Sequence, residues 1–222
     1  MQTLFRENCL LCGAASDGDM CKPCLDSLPE LPPRRCEVCA LPVAESRVCG
    51  ACLADPPAFD RTIAALSYAF PVDALVHSLK YQGNLTMAPV LADLLTARMD
   101  AAALPDFIVP MPLHSARLRE RGFNQALEIA RRVSRKTGVA LLPAVCKRIK
   151  NTPSQTGLPW KEREKNIKGA FTCKADLAGR RIAILDDVMT TGATLNELAK
   201  ALRKSGATCV SGWVVARTLP YN

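Results

Sequence analysis

Four pairs of cysteines, each with two residues between its members, fall within the first 52 residues of this 222-residue chain. The pairs are Cys9 with Cys12, Cys21 with Cys24, Cys36 with Cys39, and Cys49 with Cys52. Two such pairs supply the four thiolates of one tetrahedral zinc site. Because scattered cysteines would not repeat this spacing four times, the pattern predicts two structural zinc ions rather than disulfides.

The spacing leaves the assignment of pairs to ions open. Sequential pairing puts the first two pairs on one ion and the last two on the other, and closes short loops; an interleaved arrangement is the alternative. Roughly the first 60 residues contain too few large apolar side chains to build a sufficient core. Metal binding is therefore expected to supply much of the folding free energy.

A proline-containing stretch, Asp55 to Ala58, predicts the boundary between residues 1–57, a double zinc ribbon, and residues 58–222, a second domain. The amino terminus lacks the basic segment and apolar run of a secretory signal. No stretch approaches the roughly 20 apolar residues that span a bilayer. We therefore expect a cytoplasmic protein that does not insert into a membrane.

The second domain alternates segments of strand and helix character, which predicts an α/β fold with a mainly parallel sheet flanked by helices. The run from Ile182 to Leu185 is apolar throughout, as in a strand buried on both faces. Residues 117 to 125 are predicted to form an arginine-rich loop before a helix that ends at Gly138. The remaining predicted strands are 62–70, 106–111, 209–216 and two short ones near Leu141 and Val145. The remaining predicted helices are 72–81, 87–99, a charged turn around 161–166 and a segment beginning near Leu195.

The segment from Ile182 to Thr194 carries the strongest chemical signal. A buried strand delivers Asp186 and Asp187 to a small, hydroxyl-rich turn that opens a helix. A helix amino terminus binds phosphate through its unpaired N–H groups, and carboxylates suit the neighbouring sugar hydroxyls. The alternative is that the aspartates only cap the helix. The segment contains neither GxGxxG nor a Walker GK pair, which excludes both of those nucleotide loops.

This segment resembles the thirteen-residue binding motif of type I phosphoribosyltransferases. The resemblance implies that Asp186 and Asp187 hold the ribose hydroxyls of phosphoribosyl pyrophosphate (PRPP). It also implies that the 5′-phosphate is held by Met189, Thr190, Thr191, Gly192, Ala193 and Thr194.

Basic residues are concentrated between positions 109 and 168, where 14 Lys and Arg face four Asp and Glu, a net charge of +10. Arg119 and Arg121 are expected to stabilise the pyrophosphate leaving group, although a solvated helix face is the alternative. Arg148 and Arg163 are expected to contact PRPP from a flap that closes over the site. Magnesium would bridge the pyrophosphate and sugar oxygens with few protein ligands.

Together with the cysteine pairs, these stretches resemble the ComF family of competence-associated, phosphoribosyltransferase-like proteins. The most distinctive parts are 121–125 and 155–171, with a weaker match from Leu79 to Gly83. The resemblance implies a role in natural transformation or DNA utilisation, with single-stranded DNA and a competence helicase or DNA-processing protein as partners. Three functions stay open: a phosphoribosyltransferase of unknown acceptor, a nucleobase salvage enzyme, and a non-catalytic PRPP sensor that binds single-stranded DNA or a helicase.

Overall fold

The computed structural model describes residues 7–151 and 167–220. Among them, no helix combines the length and apolar character needed to cross a bilayer. The helices are α1 (Lys22–Asp26), α2 (Gly50–Ala54), α3 (Val72–Gln82), α4 (Met87–Thr96), α5 (Ser115–Arg121), α6 (Gln125–Thr137) and α7 (Ala193–Lys204), with a 3₁₀ turn at Ala101–Ala103. The strands are β1 (Glu7–Asn8), β2 (Ala15–Ser16), β3 (Arg61–Ser67), β4 (Phe107–Pro110), β5 (Ala140–Leu141), β6 (Cys146–Arg148), β7 (Phe171–Cys173), β8 (Arg181–Met189) and β9 (Cys209–Arg217).

Five of these strands form a parallel sheet in the order β3-β9-β8-β4-β5. The chain moves from β4 to β5 in one direction across the sheet and from β8 to β9 in the other. Right-handed crossovers in opposite directions place their helices on opposite faces. Accordingly α4 packs on α6 on one face, while α7 contacts the antiparallel pair of strands β6 and β7 on the other.

The cysteine-rich segment packs against the edge of this sheet. Among residues 7–151 and 167–220, strand β3 has no strand neighbour on its outer side. Its backbone N–H groups at Thr62 and Ser67 donate to the carbonyls of Glu37 (3.1 Å) and Pro29 (2.8 Å). Buried side chains of the segment, such as Leu31, belong to the same core as the sheet. The segment therefore covers an edge that would otherwise expose unpaired backbone groups.

The connection after α2 is held in place. The Ala58 N–H donates to Asn196 Oδ1 at 2.7 Å, and the Ala58 carbonyl accepts from Arg203 Nε at 3.2 Å. The domain boundary stays a prediction, and the first residue after it is bonded to α7 through both its N–H and its carbonyl.

The predicted parallel α/β sheet is confirmed, and one local prediction is wrong. Residues 117–125, expected to be a loop, belong mostly to helices α5 and α6. Residues 122–124 separate the two helices. Gly122 ends α5 with φ 81°, and the side chain of Asn124 caps α6 by accepting hydrogen bonds from the N–H groups of Ala126 and Leu127. The concentration of arginines obscured this helix–cap–helix pattern.

Two glycines with positive φ give a matched test of the packing before β8. A Cβ at Gly206 (φ 97°) would lie 2.9 Å from the backbone of Ala178, whereas a Cβ at Gly179 (φ 72°) would meet nothing within 4 Å. Gly179→Ala should cost about 1 kcal/mol of unfolding free energy from backbone strain alone. Gly206→Ala should cost at least about 2 kcal/mol more because backbone must move. Denaturant unfolding measures both, and equal losses would contradict the packing.

Candidate ligand cleft and metal sites

The eight cysteines of the four pairs gather into two groups, each with its sulfurs within 4.8 Å of one another. One group is Cys9, Cys12, Cys21 and Cys24, and the other is Cys36, Cys39, Cys49 and Cys52. The Cys12–Cys21 and Cys39–Cys49 sulfurs are 3.7 Å and 3.6 Å apart, close to the roughly 3.8 Å between sulfurs on a tetrahedral zinc. The pairing is thus sequential, and both donor sets fit zinc.

The two groups repeat the same local geometry. The first two cysteines of each group lie in a turn closed by an N–H···O bond of 2.8 Å, from Gly13 to Cys9 and from Ala40 to Cys36. Gly13 and Ala40 both have positive φ, 74° and 58°. The third cysteine of each group, Cys21 or Cys49, directly precedes a five-residue helix. The two cysteines have the same backbone conformation, with φ −72° and ψ 156°. With all four positions of each group taken by protein sulfurs, these are structural sites.

A cleft of about 200 Å³ lies at the carboxyl ends of β8 and β4. The chain leaves these neighbouring strands in opposite directions, and α/β sheets bind ligands at this kind of switch point. Strand β8 contributes Asp186 and Asp187 to the lining, and the segment after β4 contributes Met111 and Leu113. The fold therefore opens a cleft at the place where the sequence predicted a ligand.

The two carboxylates in the cleft have different environments. The Asp187 side chain is 3% exposed and its Oδ2 lies 2.5 Å from Nζ of Lys80, in the last turn of α3. Asp186 is half-buried, and its Oδ1 accepts from the backbone N–H of Asp187 at 2.9 Å. Asp187 is thus held by an internal cation, whereas Asp186 remains available to a ligand.

The electrostatic environment shifts the pKa values of three side chains in the cleft, those of Asp186, Asp187 and Lys80. Burial raises the pKa of Asp186, and the neighbouring Asp187 carboxylate raises it further, to well above its usual value. Burial also opposes ionisation of Asp187, but the ammonium of Lys80, together with hydrogen bonds from the Asp186 side chain and the Val188 N–H, lowers the pKa of that carboxyl. The pKa of Lys80 is raised, since the carboxylates of Asp187 and Asp186 overcome its own desolvation. The ligand-free cleft therefore holds one firm ion pair and one unfavourable extra negative charge.

The turn after β8 faces the same cleft. Met189, Thr190, Thr191, Gly192 and Thr194 line it, while Ala193 does not. Gly192 has φ 84°, and a Cβ there would lie 2.7 Å from Cε of Met189. Gly192 caps α7 without a side-chain hydrogen bond, although Thr191 Oγ1 accepts from Ala193 N–H at 3.1 Å. The first turn of the helix is thus open to an anion.

Cationic side chains close the other side of the cleft. Arg117, Arg121 and Arg148 line it together with Lys80. Arg121 also stacks over the ring of Tyr81 at 5.5 Å, and Arg148 over Phe171 at 5.8 Å. Arg119 is exposed and outside the lining, because it lies two residues from Arg117 and so on a different face of α5.

Arg163 and most of its neighbourhood in the sequence lie outside the described residues, so its expected role stays a prediction. Sequence reasoning missed Arg117 and the pairing role of Lys80. A helical reading of residues 115–121 would have found Arg117, since positions 117 and 121 are one helical turn apart. No local signal predicts the Lys80–Asp187 pair, which joins residues far apart in the chain.

Two domain families match this chain: a double zinc ribbon domain over residues 1–53 and a phosphoribosyl transferase domain over residues 119–219. The chain is 33% identical to competence protein F of Haemophilus influenzae, over 98% of this chain and all of that protein. It is 36% identical to the DNA utilization protein YhgH of Escherichia coli (83% and 84% covered) and 26% identical to competence protein ComFC of Bacillus subtilis (91% and 85% covered). The double zinc ribbon and the phosphoribosyltransferase fold are thus both confirmed.

Replacing Asp186 by asparagine should stabilise the ligand-free protein at pH 8. The folded-state pKa of Asp186 is raised, so its charge costs stability above that pKa, and the cost disappears as the carboxyl protonates at lower pH. Relief of about 1 kcal/mol would raise the thermal midpoint by roughly 2 to 4 °C. The difference from the native chain should shrink as the pH falls through the raised folded-state pKa toward the unfolded value of about 4.

Asp106→Asn is the matched control of opposite sign. Arg181 lowers the pKa of Asp106 through hydrogen bonds from its backbone N–H and its guanidinium. That stabilisation is present above the unfolded pKa of about 4 and is lost only as the pH falls below it. Asp106→Asn should therefore lower the midpoint by the same amount at pH 8 and pH 5.5. A lower midpoint for Asp186→Asn at pH 8 would contradict the assigned charge balance.

Proposed function

Because the chain belongs to the ComF family, in which a double zinc ribbon precedes a phosphoribosyltransferase domain, we propose that its cleft binds PRPP and that the protein acts in DNA utilisation or natural transformation. The observation that carries the proposal is the meeting of Asp186, the turn before α7 and three arginines around one cleft. A sugar that carries phosphate at one end and pyrophosphate at the other needs these three kinds of group.

Each part of the cleft matches one part of PRPP. The 5′-phosphate takes the turn of Thr190 to Thr194, where backbone N–H groups and hydroxyls donate. The ribose hydroxyls donate to Asp186, whose unfavourable charge in the ligand-free cleft is relieved by these bonds. The pyrophosphate takes the arginine side, formed by Arg117, Arg121 and Arg148.

The same groups favour transfer of the phosphoribosyl unit. In such a transfer a nucleophile on the acceptor bonds to the anomeric carbon while the bond to pyrophosphate breaks, and charge builds on the leaving oxygens. Fixed guanidinium groups stabilise that charge without reorganisation. Magnesium bound to PRPP would neutralise part of the pyrophosphate charge. Lys80 acts within the protein by keeping Asp187 ionised and in place.

The relatives named for competence and DNA utilisation favour a cytoplasmic role in handling incoming DNA. The +10 charge of residues 109–168 favours a second candidate, in which the protein senses PRPP and binds single-stranded DNA or a DNA-processing partner through this basic region. A nucleobase salvage enzyme is the third. These candidates share the cleft and differ in turnover and in the acceptor.

Arg117→Gln should weaken PRPP binding in the presence of magnesium by about 10- to 100-fold, the value of a lost hydrogen bond to a charged group. Arg119→Gln, two residues away on the exposed face of α5, should change the affinity less than about twofold. Titration calorimetry measures both. A larger loss for Arg119→Gln would return the pyrophosphate contact to Arg119 and overturn the assignment of Arg117.

Pyrophosphate release separates the enzyme from the sensor. The enzyme should release pyrophosphate from PRPP with at least one nucleobase or amine, and Asp186→Asn should abolish the release. The sensor should bind PRPP without product and should bind single-stranded DNA with an affinity that falls steeply between 50 and 200 mM salt. DNA affinity that does not change with salt would exclude the basic region as the DNA contact.

A further inference from the structure

Arg217 is a buried cation whose bonds cross from the sheet to the cysteine-rich segment. It is the last residue of β9 and is 1% exposed. Its guanidinium donates to four backbone carbonyls. Nε donates to Cys39 (2.8 Å), and Nη1 donates to Met189 (3.0 Å), Thr190 and Thr218 (2.9 Å). One side chain therefore joins a metal-binding turn to the turn that lines the ligand cleft.

A guanidinium buried to this degree requires a compensating negative charge. None of the ion pairs among the described residues includes Arg217. The Nε of Arg217 instead donates to the backbone carbonyl of Cys39, a member of the second four-cysteine group. Four thiolates around one zinc carry a net charge of about −2. When it holds zinc, the second site therefore places negative charge beside Arg217.

A second set of contacts connects the same two turns. Thr62 Oγ1 donates to the carbonyl of Val38 at 2.6 Å and lies 3.9 Å from Sδ of Met189. The terminal methyl of Met189 in turn occupies the space beside Gly192, where a Cβ would clash with it. The residues before Cys39 and the residues of the phosphate turn are therefore fixed by one continuous group of contacts.

The first four-cysteine group lacks such a connection. Within the described residues, no hydrogen bond joins residues 9–24 to residues 189–194. The two sites share their chemistry and local geometry, yet within the described part of the chain only the second is joined through Arg217 to the turn that lines the cleft. This asymmetry distinguishes a positioning role from a general role in folding, which both sites would serve equally.

We propose that the second metal site, acting through Arg217, positions the turn of Met189 to Gly192, so that metal binding at Cys36, Cys39, Cys49 and Cys52 and PRPP binding in the cleft strengthen each other. The proposal rests on the proposed PRPP site. Arg217 is a positioning residue: it contacts the carbonyls that set the turn and not the ligand. Because coupling of binding free energies is reciprocal, PRPP should tighten zinc binding at the second site but not at the first. Tighter binding appears mostly as slower release.

The test follows zinc release from the full chain to a colorimetric chelator, with and without PRPP and magnesium. In the native chain, PRPP should slow the release of one zinc ion by about tenfold, the coupling expected of about 1.4 kcal/mol. The other ion should be unaffected. Arg217→Lys keeps the positive charge but loses the set of hydrogen bonds to the carbonyls of Cys39, Met189 and Thr190. This variant should therefore abolish the slowing.

Arg203→Lys is the matched control. Arg203 is also an arginine that holds several carbonyls, those of Ala58, Ala207 and Thr208, together with Asp60, but it lies at the opposite ends of the strands. Arg203→Lys should lower stability and keep the effect of PRPP on zinc release. Equal slowing in both variants would overturn the proposal.

Failure of the coupling and failure of the proposed function give different results. If calorimetry shows that the native chain binds PRPP while neither zinc ion is released more slowly, the coupling is wrong and the proposed function stands. If the native chain does not bind PRPP, the proposed function fails. Amide hydrogen exchange of residues 186–195 in the ligand-free variants then decides on positioning alone: faster exchange in Arg217→Lys than in Arg203→Lys supports it, and equal exchange overturns it. Should Arg217→Lys fail to fold, the zinc release of the native chain gives the decision.

Discussion

The ion pair between Lys80 and Asp187 is the contact on which the cleft depends. Two adjacent carboxylates at the end of a buried strand cannot both remain charged in a dry environment without a cation. Lys80 supplies it from α3, with Nζ 2.5 Å from Asp187. The pair fixes the end of β8 against α3 and leaves Asp186 as the carboxylate with unmet electrostatic demand. The charge of Asp186 therefore lowers the stability of the ligand-free protein, and a ligand that hydrogen-bonds to Asp186 offsets this cost.

The cysteine-rich segment contributes to the same region by a different route. It covers the edge of the sheet at β3 and shares the hydrophobic core. Its second metal group lies next to a buried arginine that also binds the carbonyls of the phosphate turn. A metal-stabilised domain is a rigid support, because four short bonds fix the backbone where few apolar side chains are available. Because this support lies behind the turn of Met189 to Gly192, the groups of that turn that face the ligand are held in a defined position.

Local patterns in the sequence predicted the parts of this structure that local physics determines. The cysteine spacing predicted both metal groups, and the apolar run before Asp186 predicted the buried strand and the turn after it. Residues 117–121 were predicted as a loop because composition was weighed above periodicity. A spacing of four residues puts Arg117 and Arg121 on the cleft, whereas the pyrophosphate contact expected of the exposed Arg119 stays a prediction. Pairs such as Lys80 with Asp187, or Arg217 with Cys39, depend on how distant segments pack and have no signature in a single sequence.

A crystal structure of the native chain with PRPP and magnesium tests the central claim most directly. The account predicts the 5′-phosphate against the turn of Thr190 to Thr194, a ribose hydroxyl on Asp186, and the pyrophosphate beside Arg117, with Lys80 still on Asp187. A 5′-phosphate held by the arginine side instead, or a sugar bound away from Asp186, would contradict it.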